Sequence, residues 1–116
     1  AQGLLAGTKR SHLSKKGDHR IRNVLFQEHM NPYVETAVEK LTIYADKWGM
    51  KLNELALSWI ISKPQVAAVV GVRHAQHMKE NSAVKPINFS KDQQQALALI
   101  SRIVTDRLDT NPVMWR

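Results

Sequence analysis

The sequence predicts a mainly α fold with one or two short strands of the parallel type. Apolar residues repeat at helical spacing in residues 32–48 and again in residues 53–62. Residues 66–70 form a continuous apolar run that is β-branched at three of its five positions, which is typical of a strand buried on both faces. Two strands cannot form a sheet that helices cover on both sides, so helices dominate the prediction.

The first thirty residues carry weaker patterns. Residues 1–7 are apolar with two glycines, and they predict the end of a buried strand followed by a turn. Residues 8–23 are polar and basic and lack periodicity, so we expect an exposed basic loop. Residues 24–30 predict a short helical turn.

The first two predicted helices have clear ends. Asn31 and Pro32 make a favourable helix start, with Asn as the cap and Pro at the first helical position. Gly49 ends this helix, because glycine readily adopts the left-handed conformation that closes a last turn. Pro64 stops the second helix.

Two further helices complete the prediction. One spans about residues 75–83, and the other begins at a Ser90–Gln93 capping box and ends near Asp106. Residues 107–116 predict an irregular tail. The predicted buried face of the last helix consists of Ala96, Leu99, Ile100 and Ile103, with Val104 beside it.

Length and composition indicate one domain over residues 1–116. No stretch approaches the roughly 18 apolar residues of a membrane span, so no membrane partner is expected. The chain has no cysteine, which excludes thiolate metal sites and favours a cytoplasmic location. Six basic residues and one acidic residue between positions 9 and 22 provide +5 of the net charge of +7, so an anionic partner is expected there.

A candidate anion site follows the apolar run. Gly71 and Arg73 stand where the predicted strand leads into the third helix. The free N–H groups and dipole of a helix N-terminus attract anions, and an arginine adds a bidentate fork suited to phosphate. Glu80 and Asn81, two helical turns later, can reach a polar ring or a sugar.

These residues resemble the C-terminal part of the aldo-keto reductases, a family of (β/α)8 barrels that reduce carbonyls with NADPH. The resemblance lies in residues 1–7, in the helix that contains Ala56, Leu57 and Trp59, in residues 69–73 with Glu80 and Asn81, and in residues 89–92. It extends over about residues 1–106. It is closest to the branch that includes bacterial reductases and potassium-channel β subunits.

The resemblance implies which residues contact NADP(H). Arg73, which follows Gly71, would contact the adenosine 2′-phosphate, and His77, Glu80 and Asn81 would contact the phosphate or the adenine. His77 stands where the family more often has Gln. The backbone of Ala1, Gln2 and Gly3, and the loop that contains Lys9, would cover the pyrophosphate.

The resemblance also implies what this chain lacks. The family's catalytic Asp, Tyr, Lys and His lie in barrel strands two to four, whereas these residues begin at strand seven. We therefore expect a non-catalytic binding or assembly module that retains part of the NADPH site, and no catalytic residue is assigned. Unpaired sheet edges predict that the isolated chain forms a homo-oligomer or docks on the missing part of a barrel.

Other interpretations remain open from the sequence. Residues 71–81 also fit an ordinary strand-to-helix turn, and the basic loop also fits a solvated segment or a nonspecific nucleic-acid contact. No third ligand accompanies His74 and His77 at metal-binding spacing, so no metal is expected. A small basic protein that binds nucleic acid or an acidic protein, and part of a complete NADPH-dependent carbonyl reductase, are the alternative functions.

Overall fold

The computed structural model describes residues 2–13 and 17–115, and it is mainly α, as predicted. Four short 3₁₀ turns precede and lead into the helical part of the chain: Leu4–Ala6, Arg10–His12, His19–Arg22 and Val24–Phe26. Four α-helices follow: α1 (Asn31–Lys47), α2 (Leu52–Ile61), α3 (Ala75–Ser82) and α4 (Lys91–Thr105). All four helices lie within one or two residues of the predicted bounds. None of the helices in the described residues is long and apolar enough to cross a membrane.

The helix ends confirm the predictions made for Gly49 and for the Ser90–Gln93 capping box, whereas the prediction of Asn31 as the cap of α1 is wrong. Met30 precedes the helix with helical backbone angles, so Asn31 is already the first helical residue and its side chain makes no capping hydrogen bond within the described part of the chain. Pro32 lies in the first turn of α1, and Gly49, with φ of 69°, follows its last residues. At the start of α4, Ser90 N donates to Gln93 Oε1 at 2.9 Å and Gln93 N donates to Ser90 Oγ at 3.2 Å. This reciprocal pair satisfies two backbone N–H groups that would otherwise have no partner within the helix.

Two buried clusters hold the helices together. α1 packs mainly on α4, while α2 packs on α1 and on the Leu4–Ala6 turn. The second cluster surrounds Phe89, against which Trp48 and Trp59 pack with ring centroids 6.3 and 5.5 Å away. The N-terminal cluster consists of Leu4, Val24, Phe26, Met30 and Val34; the second consists of Ala45, Leu55, Phe89 and Leu97.

The prediction of a buried parallel-type strand at residues 66–70 is wrong for this structure. The segment is extended without strand pairing, Val69 is fully exposed, and Val66 and Val70 are 47% and 41% exposed. A parallel strand needs neighbours that bond to its backbone. Across residues 2–13 and 17–115, the β pairing is a single antiparallel bridge between Asn23 and Trp115.

Two smaller expectations also need correction. Residues 2–7 show no strand end; they form the Leu4–Ala6 turn between Gly3 and Gly7, both of which have positive φ. On α4, Leu99 is 64% exposed, and the buried positions are Leu97 and Ile100. The helix is therefore rotated slightly from the expected face, so that Leu97 reaches Phe89 in the second cluster.

The extended segment leaves the chain less compact than its length allows. The radius of gyration is 14.7 Å, whereas a compact domain of 116 residues has a value of about 13.4 Å. The segment after α3 is nevertheless attached, because the buried Ser58 hydroxyl of α2 donates to the Lys85 carbonyl at 3.1 Å. Residues 71–81 thus lie between an unpaired extended run and one anchoring hydrogen bond.

Candidate functional site

The predicted 2′-phosphate residues lie around the start of α3. Arg73 and His74 are extended or bent in conformation, and α3 begins at Ala75 with His74 as its cap. The N–H groups of a first helical turn have no partner inside the helix, and their dipole favours an anion. The structure therefore places Arg73 immediately before a free helix N-terminus, as the sequence predicts.

Arg73 is exposed, and no hydrogen bond or ion pair in the described part of the chain engages its guanidinium. His77 is exposed too, and its ring lies 5.3 Å from that of His74. Residues 2–13 and 17–115 contain no group of three side chains that could hold a metal ion. Both the arginine and the histidine pair are thus accessible to a ligand from solvent.

Gly71 does not need to be glycine in this structure. Its φ is outside the positive range, and a Cβ added to it would meet nothing within 4 Å. Neither backbone conformation nor a close neighbour therefore constrains this position to glycine.

Glu80 is held in place on the inner side of α3. Gln76 Nε2 donates to Glu80 Oε1 at 3.1 Å, and Lys51 Nζ lies 3.8 Å from the same oxygen. Glu80 and Asn81 are half-buried, unlike the preceding residues of the helix. Lys51 is the residue before the start of α2, so this ion pair links α3 to the start of α2.

The predicted pyrophosphate residues lie at the other end of the chain. Gly3 has φ of 93°, and a Cβ built on it would lie 2.6 Å from Thr8 Oγ1 and 3.8 Å from Arg20 Nη1. This position therefore requires glycine both for its conformation and for the close approach of Thr8. Ala1, which the resemblance also implies, lies outside the described residues.

Arg20 is oriented by Asp18. Its Nε and Nη2 donate to the Asp18 carboxylate at 2.9 and 2.7 Å, which is a bidentate geometry. The hydrogen bonds from the Arg20 side chain are the largest cause of the low pKa of Asp18, which falls from its ordinary 3.8 to about 2. Within the described residues no hydrogen bond uses Arg20 Nη1, which is the Arg20 atom that lies near Gly3.

The rest of the basic loop is less available than its charge suggests. Arg10 donates to the Phe26 carbonyl and forms an ion pair with Glu28 at 3.2 Å. Lys9 is exposed, and its backbone N–H donates to His12 Nδ1 at 3.3 Å. Lys15 and Lys16 lie outside the described residues. With Arg10 and Arg20 both paired to carboxylates, fewer cations remain free for a polyanion than the sequence alone indicates.

The structure forms two groups of predicted residues and does not join them directly. Gly3 and Lys9 belong to one group, while residues 71–81 form the other. No hydrogen bond or ion pair among the described residues links them, but α2 contacts the Leu4–Ala6 turn, and Lys51 at the start of α2 contacts Glu80. The described residues also line two cavities, of about 590 and 240 Å³, but no predicted cofactor-binding residue lines either of them. The candidate site is therefore an open surface.

The sequence analysis did not single out four members of this surface, which are Asp18, Arg20, Thr8 and Trp115. Asp18 and Arg20 form an Asx-type turn, in which Asp18 Oδ1 accepts from Arg20 N at 3.1 Å. The sequence signal for such a turn is the Asp itself, whose side chain bonds to the backbone two residues later. Thr8 matters only because Gly3 folds back onto it, which no local pattern shows. Trp115 reaches the loop from the far end of the chain.

The structure is a helix-rich chain whose candidate site is split between two surface groups of residues, and comparison with known proteins identifies its family. The model of the aldo/keto reductase family matches residues 1–102. The chain belongs to the aldo/keto reductase family, as the resemblance predicted. The mainly α structure is consistent with the C-terminal part of such a barrel.

Its curated relatives include uncharacterised oxidoreductases of Mycobacterium bovis and Mycobacterium tuberculosis. Each is 31% identical to this chain over 102 residues, which cover 88% of the chain and 31% of the relative. The chain thus spans about a third of the length of these relatives. No solved structure gives a significant match. The family generally uses NAD(P)H.

Proposed function

We propose that this chain supplies the adenosine half of an NADP(H) site and performs no hydride transfer by itself. The observation that carries the proposal is Arg73, an exposed and unpaired cation within the described residues, placed directly before the free N-terminus of α3. A phosphate at this point would receive both the arginine fork and the helix N–H groups. The 2′-phosphate is the group that distinguishes NADPH from NADH.

The rest of α3 supports the same ligand. Glu80 is held by Gln76 and Lys51, so its free lone pairs have a fixed direction and need no reordering on binding. His77 and Asn81 lie on the same short helix, within one turn of Glu80. We assign His77, Glu80 and Asn81 to contacts with the phosphate or the adenine. We assign Gly71 to the turn that leads into the anion-binding helix start.

The pyrophosphate is assigned to the other group. Gly3 lies close against Thr8 Oγ1, and the Arg20 Nη1 atom, 3.8 Å from where a Cβ would stand, supplies donors beside the Gly3 backbone. Lys9 is an exposed cation in the same loop. Two phosphates bear more than one charge, which matches a guanidinium and an ammonium better than either alone.

We further propose that this site is completed by a partner. The exposed run at residues 66–70 has valine side chains and backbone groups that a neighbouring strand would cover. A second copy of the chain, or the remaining part of a barrel, would supply such a strand and enclose the cofactor. The absence of cysteine favours a cytoplasmic location for this assembly.

The test is a calorimetric titration of the chain with NADPH and with NADH. We expect Arg73→Ala to weaken NADPH binding by about 10- to 100-fold, the effect of losing hydrogen bonds between two charged groups. NADH affinity should not change, because NADH lacks the 2′-phosphate.

The matched control is Arg102→Ala, which removes an exposed arginine from α4, where Arg102 pairs only weakly with Asp106 at 3.4 Å. This variant should bind both cofactors as the wild type does. An NADPH to NADH affinity ratio that stays the same in Arg73→Ala would disprove the 2′-phosphate assignment.

A further inference from the structure

The end of the chain folds back onto the basic loop. Trp115 forms the antiparallel bridge with Asn23, and Val24 N donates to the Met114 carbonyl at 2.7 Å. The Trp115 ring lies 5.5 Å from the ring of His19. Met114 and Trp115 follow residue 102, where the family match ends, whereas His19, Asn23 and Val24 lie within it.

The strap formed by Met114 and Trp115 contacts the turn that carries Arg20. This turn, His19–Arg22, is fixed at its start by Asp18, whose Oδ1 accepts from Arg20 N. Its far end is fixed by the buried Asn23, whose N–H donates to the Arg20 carbonyl at 2.9 Å. Trp115 touches both flanks of the turn, through the His19 ring and through the Asn23 backbone.

The strap also packs against the N-terminal part of the fold. Met114 packs against the N-terminal cluster, which contains Leu4, the neighbour of Gly3. Met114 therefore packs against the cluster to which the neighbour of Gly3 belongs, and Trp115 contacts the turn whose Arg20 Nη1 lies near Gly3. Both sides of the proposed pyrophosphate surface therefore lie next to Met114 and Trp115.

We infer that Trp115 is a positioning residue for the pyrophosphate part of the cofactor site. It acts through Arg20 and does not touch the cofactor, and the inference rests on the proposed function. By holding the His19–Arg22 turn in its bound position before the cofactor arrives, the strap removes part of the ordering cost of binding. The ligand it serves is the diphosphate that NADPH and NADH share.

The test is Trp115→Ala in the full chain, titrated with NADPH and with NADH. We expect both affinities to fall by the same factor, about two- to tenfold, the range for loss of one aromatic contact. Trp115→Phe should restore most of the loss, because a smaller ring can still pack on His19. Amide hydrogen exchange at residues 20–24 should become faster in Trp115→Ala and return in Trp115→Phe.

The matched control is Leu99→Ala, which removes an exposed apolar side chain from α4 and should change neither affinity nor exchange at residues 20–24. A loss confined to NADPH would overturn the inference, since it would place the effect at the 2′-phosphate. Equal binding by wild type and Trp115→Ala would overturn it as well. Failure of the wild-type chain to bind either cofactor would instead reject the proposed function, and the role of Trp115 with it.

Discussion

Replacement of Gly3 by alanine should destabilise the chain more than the same change at any other described glycine. Its φ of 93° is a conformation in which a Cβ collides with the backbone, at a cost of about 1–2 kcal/mol. The new Cβ would also lie 2.6 Å from Thr8 Oγ1 and 3.3 Å from Thr8 Cβ. Relief of that overlap requires movement of the loop, and overpacking of this kind costs a further 1–3 kcal/mol, roughly.

The chain contains the controls that separate these two costs. Gly7 has φ of 91° but open space around it, so Gly7→Ala should show the conformational cost alone, about 1–2 kcal/mol. Gly71 has neither constraint, so Gly71→Ala should stabilise the chain by about 0.4–1 kcal/mol through the unfolded state. The free energies come from urea unfolding followed by circular dichroism.

Thr8→Ala isolates the collision. This change removes Oγ1, so Gly3→Ala should cost less in the Thr8→Ala background than in the wild type, and the difference is the coupling energy of the double-mutant cycle. Equal losses for Gly3→Ala and Gly7→Ala, with no coupling to Thr8, would refute the close approach of Thr8 to Gly3. The pyrophosphate wall built on that approach would then have no basis.

Two further predictions concern the same half of the molecule. Asp18→Asn should flatten the acid dependence of stability: the pKa of Asp18 is lowered to about 2 in the fold, so its contribution is present above about pH 4 and is lost as the pH falls to 2. Urea midpoints that fall in parallel for the two proteins over this window would contradict the ion pair with Arg20. Phe26→Ala should lower the unfolding free energy by about 3–5 kcal/mol, because Phe26 is fully buried in the N-terminal cluster, whereas Leu99→Ala should change it little. A similar loss of unfolding free energy in both variants would contradict the burial of Phe26 and the exposure of Leu99.

The helices could be predicted because their signals are local. Pro32, Gly49 and the Ser90–Gln93 box each act on backbone groups within a few residues, so their effects do not depend on the rest of the fold. The family could be predicted for a related reason: its motifs follow one another in order along the sequence, and the match to residues 1–102 confirms them. These signals depend only on residues that are near one another in the sequence or on the order of motifs along it.

The strand at residues 66–70 could not be predicted reliably, because a strand exists only through its neighbours. The same five residues would pair in a barrel that supplies adjacent strands, and here they are extended and exposed. The Gly3–Thr8–Arg20 contact and the Asn23–Trp115 bridge have the same origin. Each joins segments whose meeting is decided by the packing of Leu4, Phe26 and Met114, and no local pattern encodes it.

This difference has a consequence for the cofactor site. Arg73 is placed by a helix start, and the backbone of Arg20 is held by the local Asp18 turn, so these two features do not require a barrel. The approach of Arg20 to Gly3 is nonlocal and depends on the packing of the chain. The surroundings of Arg73 and Arg20 are open, however, and a charge pair in water contributes far less than one from which water is excluded. The isolated chain should therefore bind NADPH weakly yet still prefer it to NADH, since the preference depends on Arg73 and the strength depends on what covers it. The ratio of the two affinities is the quantity that tests this site, and a partner that pairs with residues 66–70 should raise both affinities.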